Sequence, residues 1–270
     1  MSVLPRLAIL GMILLEAGCG LPDSYYLQFP VTGTPPTGAQ LNQPFSLTGS
    51  SRANDINVTF TGYELYYKCY GTADQAAITA DQNYGSPSYT YTDLLQNGFH
   101  RVCRGPGSGG GLAVDSTPST ANAPLINVQR IDSSNLGSTF TIKIIVADLL
   151  PPSFGFASAG SIPVTYFEYL PPSVTTPTAG WEIRRYAQAD SSLGPVCKTF
   201  APNSSYPGIT SPANWSASDV DMTSAIWNEV IAGSQQIYVM LYAVSYGIGI
   251  DGAFRESSPT WLGYTLITVN

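Results

Sequence analysis

Apolar residues recur at every second position through several runs of this chain, the period of a strand rather than of a helix. In the run from Tyr63 to Tyr70, one row reads Tyr63, Leu65, Tyr67 and Cys69, and the other reads Glu64, Tyr66, Lys68 and Tyr70. The first row predicts a face turned to the core, and the second is amphipathic. Phe140, Ile142, Ile144 and Val146 form another inward row over 140–146. Residues 237–244 are apolar on both rows, which predicts a central strand, and 261–269 predict the last strand. Aromatic and β-branched residues dominate these runs, as the pleated surface favours.

Gly and Pro punctuate the stretches between them. The run 105–111 reads as a surface loop, because it lacks the Gly-Lys-Ser/Thr ending of a phosphate loop. One helix is expected over 222–231, capped by Ser218-Asp219-Val220-Asp221, with its acidic residues suiting the helix dipole. A second, short helix is expected to end at Asn97-Gly98. The segment 171–178 carries Pro171, Pro172 and Pro177 and reads as a stiff linker or an ordered edge between two halves. Gly62-Tyr63-Glu64-Leu65-Tyr66-Tyr67 is weakly echoed across it by Gly180-Trp181-Glu182-Ile183-Arg184-Arg185. The expected division is therefore 1–18, 19–172 and 173–270, with two antiparallel β-sandwich-like modules and a minor helix.

The central run poses a question of its own. Tyr238, Met240, Tyr242, Val244 and Tyr246 share one side of it, while Val239 and Leu241 occupy the other. A sandwich strand buries one face and wets the other, so one of these rows needs a second cover. Packing between the halves or cross-strand aromatic pairing is one answer. An exposed patch, with Tyr238, Tyr242 and Tyr246 contacting a partner, is the other.

The motif at 62–67 resembles the third strand of fibronectin type III modules. Residues 238–245, with Ser257-Ser258-Pro259 beyond them, resemble the penultimate strand of such modules and the turn into the last. At the N-terminus, Arg6 precedes the apolar run 7–15, and Glu16-Ala17-Gly18-Cys19 follow. These are the parts of a secretory signal, and the run is short of the ~20 residues that span a bilayer. Ala17-Gly18-Cys19 resembles a lipobox, although Glu16 stands where a small or apolar residue is usual. The resemblance implies cleavage before Cys19 and lipid on its sulfur, and two or more acyl chains anchor stably. With this relaxed lipobox the chain is similar to spirochaete lipoproteins that carry β-sandwich modules, which implies an envelope location, outer membrane favoured.

Composition narrows the partners. Of 270 residues, 44% are apolar, enough for a real core, and only 11% are charged, so Ser, Thr, Asn, Gln and Gly must build the polar surface. A net charge of −7 with three lysines argues against nucleic acid. With Cys19 acylated, Cys69, Cys103 and Cys197 remain, and an exported compartment permits a disulfide. Cys69–Cys103 is the expected pair, since both lie in strand-like segments of the first half.

Catalytic signals are weak. His100 is the only histidine, no Gly-x-Ser-x-Gly elbow occurs, and Cys197 has no evident base. Asp219, Asp221 and Asp251 lack the repeated oxygen ligands of a calcium loop. No metal or cofactor is therefore expected. Glycoside hydrolysis needs two carboxylates about 5–10 Å apart, for which Glu64, Glu182, Glu229 and Glu256 are the available residues. The expectation is a lipid-anchored binding or structural module, not an enzyme, contacting another envelope protein or a host ligand. The alternatives are a glycan-active enzyme with paired carboxylates and a carbohydrate-binding module.

Overall fold

The computed structural model describes residues 29–41, 43–50, 58–104, 126–127, 139–144, 153–156, 164–165, 183–190, 194–199 and 215–269. In chain order the first strands are β1 (Val31–Thr32), β2 (Thr37–Leu41), β3 (Phe45–Ser50) and β4 (Val58–Tyr70). Helix α1 (Gln75–Asp81), a 3-10 turn (Gln82–Gly85) and helix α2 (Tyr91–Gln96) follow. Next come β5 (His100–Arg101), β6 (Cys103–Arg104), β7 (Ile126–Asn127), β8 (Thr139–Ile144), β9 (Ser153–Phe156) and β10 (Val164–Thr165). Then β11 (Ile183–Asp190), β12 (Gly194–Thr199) and helix α3 (Ser224–Glu229) lead to β13 (Gln236–Gly249), β14 (Phe254–Glu256) and β15 (Thr260–Thr268). The protein is mainly β.

Strands β4 and β13 are the spine. They pair antiparallel from Tyr238↔Tyr70 to Gly249↔Val58, inside a sheet ordered β2-β15-β13-β4-β5. Strand β13 is central, as its apolar rows predict. Both of its faces are buried, with Val239, Leu241, Tyr242 and Val244 at 0% exposure. A fully buried aliphatic side chain contributes about 1.5–3 kcal/mol, so covering both rows is a large share of the stability of this sheet.

On one face lie Tyr63, Leu65, Tyr67 and Cys69 of β4 with Ile237, Val239, Leu241 and Ala243 of β13. They pack in one core with Phe45 and Leu47 of β3, Ile144 of β8, and Met222, Ile226 and Val230 around α3. The strands β1-β3-β8-β9-β10 form a second sheet, so this core joins the two sheets. A register shift between Tyr246 and Gly247 marks a bulge in β4. It returns Phe60 to the side of Tyr63, ring centroids 5.1 Å apart and edge to face.

On the other face Tyr66, Tyr70, Met240, Tyr242 and Val244 meet Ile78 of α1, Leu94 of α2 and Phe99. The cover missing from the strand pattern is thus the helical segment between β4 and β5. Helix α2 ends at Asn97 and Gly98 as expected, Gly98 having φ +80°. Its start is fixed by a capping box, with Thr90 accepting from the Asp93 amide and Asp93 accepting from the Thr90 amide. Helix α1 was not expected from the sequence pattern.

Two expectations need correction. The boundary at 172/173 does not separate two self-contained modules, because β4 from one side pairs along its length with β13 from the other. Helix α3 is capped by Thr223, whose hydroxyl accepts from the Ile226 amide, and not by Ser218 to Asp221. Asp219 and Asp221 turn inward to a buried arginine instead. The Pro171 to Pro177 linker, the strand continuation at Val146 and the Gly105 loop lie outside the described residues.

Candidate functional site

The amphipathic row of β4 sends its polar groups to two charged partners, Lys68 and Tyr70 to Asp81 and Glu64 to Arg101. Lys68 donates to Asp81 at 2.7 Å and to the Asn97 carbonyl at 2.9 Å. The Tyr70 hydroxyl donates to the same Asp81 carboxylate at 2.7 Å, and the Tyr242 hydroxyl donates to the Asp81 carbonyl at 2.5 Å. Asp81, the last residue of α1, therefore clamps the helical cover onto the sheet through three side chains. Burial and the Asp81 carboxylate push the Tyr70 phenol up, so its proton stays on.

Further along the same row is a carboxylate cluster. Glu64 is 2% exposed and is gripped by the Nε and Nη2 groups of Arg101 on the neighbouring β5. Glu64 stands opposite Val244 on β13, while Glu256 of β14 stands opposite Tyr246, two residues on. Paired positions project to the same side and so do residues two apart, so Glu64 and Glu256 flank β13 on one face. Two strand spacings and a two-residue offset put their Cα atoms roughly 12 Å apart, close enough for the side chains to converge. Burial, and next the Glu64 charge, push the Glu256 carboxyl up to about 7, against the opposing pull of Arg101. Tyr66 lies within the fields of Glu64, Glu256 and Arg101, and its ring meets Tyr91 of α2 at 6.3 Å. The site thus holds two carboxyl groups, one of them raised to about 7, beside a guanidinium and two phenols.

The opposite core contains a different ionic group. Arg185 of β11 is fully buried and donates to Asp219 at 2.6 Å and to Asp221 at 2.8 Å. Tyr67 donates its hydroxyl to Asp221 at 2.7 Å, and the guanidinium lies 3.7 Å from the centroid of the Trp215 ring. The Ser216 amide and hydroxyl satisfy Asp219 further, each at 3.0 Å. Burial pushes the Asp221 carboxyl up, with Arg185 and the Tyr67 hydrogen bond opposing. Arg185, Asp219, Asp221, Tyr67 and Trp215 are all buried, with only Ser216 at the rim, so this group cross-links the fold.

The three candidate partner-binding tyrosines divide. Tyr242 and Tyr246 are buried at 0% and 1% exposure, the first under the helical cover and the second stacked on Phe254 at 5.5 Å. They form no exposed patch, which corrects that reading for both. Tyr238 is half-buried and meets Tyr264 edge to face at 5.5 Å. Of the four glutamates, Glu64 and Glu256 are brought together. Glu229 accepts from Thr72 and from the Ala73 amide at the turn after β4, and Glu182 lies outside the described residues. His100 is half-buried against the Tyr67 ring at 5.8 Å, and burial holds its imidazole below the usual range. Asp251 pairs with Arg255 at 2.6 Å at a hairpin tip. Arg101 went unremarked as a site residue in the sequence, although an arginine beside a strand carrying an inward glutamate is the available signal.

The expected Cys69–Cys103 disulfide does not form, and Cys69 is a buried free thiol. The Val102 amide donates to the Leu65 carbonyl at 2.8 Å, which holds the chain before Cys103 four residues along β4 from Cys69. Four strand residues span about 13 Å, whereas a bridge needs Cα atoms within about 7 Å. Burial also pushes the Cys69 thiol well up. Cys69 should therefore resist alkylation in the native protein and react fully once unfolded without reductant. Peptide mapping by mass spectrometry checks this, and a Cys69–Cys103 linked peptide would contradict it. Cys197 sits on β12 opposite Tyr186, and Cys19 lies outside the described residues.

Fold and cluster together define a mainly β protein built on one doubly covered strand pair, with a carboxylate–arginine cluster on its second face. No family model matches the chain, and neither a curated protein nor a solved structure matches it.

Proposed function

We propose that the chain is an envelope lipoprotein, tethered through lipid on Cys19, whose folded part is a β-sandwich binding or structural module without catalysis. The observation that carries this reading is Ala17-Gly18-Cys19, one residue beyond the apolar run 7–15. Two sheets facing each other across one core support the sandwich part of it, in the manner of a fibronectin type III module. Among the described residues no helix is long and apolar enough to cross a membrane, which suits a lipid as the anchor. Contact with another envelope protein or a host ligand would use Tyr238, the one candidate tyrosine with surface left to offer. Cys19→Ala should abolish incorporation of labelled palmitate and move the protein from the membrane to the soluble fraction. Labelling that persists in the variant overturns the anchor.

A second reading is favoured by one observation, the placing of Glu64 and Glu256 on one face with the latter raised to about 7. A protonated and an ionised carboxyl on one face are the parts of glycoside hydrolysis. Incubation of the purified protein with cell-wall glycan separates the two readings. Release of reducing ends that is lost in Glu256→Gln establishes the enzyme, and no release in the wild type leaves the binding module.

A further inference from the structure

We propose that Glu64, Arg101 and Glu256 form a proton-controlled latch that holds the β13–β14 hairpin against the sheet at acidic pH and loosens it at alkaline pH. Strand β14 is the lightly held part of this face. It has three residues and pairs with β13 at Tyr246↔Glu256, Gly247↔Arg255 and Ile248↔Phe254. Its continuation is pinned by the Ser257 amide on the Ser245 carbonyl at 3.0 Å and by the Ser245 amide on the Ser257 hydroxyl at 2.9 Å. The tip closes through the Gly249 amide on the Ala253 carbonyl at 2.8 Å and the Asp251–Arg255 pair. Short elements with few buried contacts lie at the low end of local stability.

The groups facing Glu256 come from every neighbouring element. Glu64 and Tyr66 project from β4 and Arg101 from β5, the Tyr91 ring of α2 meets Tyr66, Tyr246 lies opposite on β13, and Arg255 is its own neighbour, paired with Asp251. Arg101 spends Nε and Nη2 on Glu64. The cluster therefore holds two carboxylates to one guanidinium. With Glu256 neutral the charges balance. With Glu256 ionised, a second negative charge sits half-buried on the face of Glu64, and the side chain escapes it by leading β14 away from the face.

The sign follows from linkage. Glu256 is raised to about 7 in the closed state and returns toward about 4.3 when the hairpin opens to water. A carboxyl raised on closing favours the closed state below its open value and loses that advantage as pH rises toward the closed value. The window therefore runs from about pH 4.3 to 7, with the hairpin loosest above it.

Hydrogen exchange on the full chain, corrected for the intrinsic pH dependence of amide exchange, reads the latch directly. Between pH 5.5 and 8, amides of 246–248 and 254–257 should lose protection on the order of 20-fold, while the β4 amides 65–69 keep theirs. Glu256→Gln should hold hairpin protection level across that range. Unchanged protection in the wild type, or an equal loss in Glu256→Gln, overturns the latch. Should the variant not fold, carboxyl-carbon NMR of the wild type decides, since the latch requires a Glu256 midpoint near 7 and an ordinary carboxylate midpoint overturns it.

Discussion

Arg185→Met should lower the free energy of unfolding by about 3–5 kcal/mol, the cost of leaving a buried charge without its partner. Methionine fills much of the volume, so the loss comes from Asp219 and Asp221, each buried and each facing the vacated guanidinium. Packing on Trp215 is lost as well, since the guanidinium lies 3.7 Å from that ring centroid. The pH dependence distinguishes this from a simple packing defect. Without Arg185 the two carboxyls bind protons more readily in the folded than in the unfolded state, so the deficit should shrink as pH falls from 8 to 5. Asp221→Asn is milder in charge terms, because its amide oxygen still accepts from Tyr67 and Asp219 still neutralises Arg185. Urea unfolding at several pH values measures all of this. A loss under about 1 kcal/mol would be that of an exposed surface pair and would contradict the buried placement.

Tyr242→Ser should cost about 3–5 kcal/mol, the range for removing a buried aromatic ring. The ring packs edge to face on Phe99 at 5.3 Å, and its hydroxyl reaches the Asp81 carbonyl at 2.5 Å. Tyr242→Phe isolates the hydroxyl, and its expected cost is about 0.5–1.5 kcal/mol. The ring thus holds the sheet while the hydroxyl holds the end of α1. Chemical unfolding gives both values, and near-ultraviolet circular dichroism reports loosening of the aromatic cover. A near-neutral Tyr242→Ser would return this row to the surface and revive it as a partner site.

Strand period was legible where both partners of a contact share a run. The rows Tyr63-Leu65-Tyr67-Cys69 and Tyr66-Tyr70 land in opposite cores as their alternation dictates. The two apolar rows of β13 were equally plain, although they leave a buried second face and an exposed tyrosine patch both open. What covers the second face was not, since α1 is seven residues long, has a single buried residue, Ile78, and is held by a tertiary clamp at Asp81. Short helices carry little periodic signal and owe their stability to packing. The domain boundary failed for a related reason. Proline-rich composition reports local stiffness, whereas the pairing of β4 with β13 is a long-range choice. The glutamate pair was available as residue types, but only the register across β13 brings Glu64 and Glu256 to one face. Asp219 and Asp221 look like a helix cap in isolation and become arginine ligands because Arg185 enters from β11.

The spine has a consequence for how the molecule is made. Tyr70 and Met240 touch at a sequence separation of 170 residues. A nascent chain elongating at about 5–20 residues per second presents β4 for roughly 10–30 s before β13 exists to receive it. Throughout that interval the edge of β4 that β13 will occupy stays open, and the helices on its second face have only the β4 part of their floor. Such non-local pairing also makes for slow closure once the whole chain is out. The early product is thus a half-built sheet with an open, apolar strand edge. Synthesis cut short before residue 236 should yield aggregate rather than a smaller folded protein.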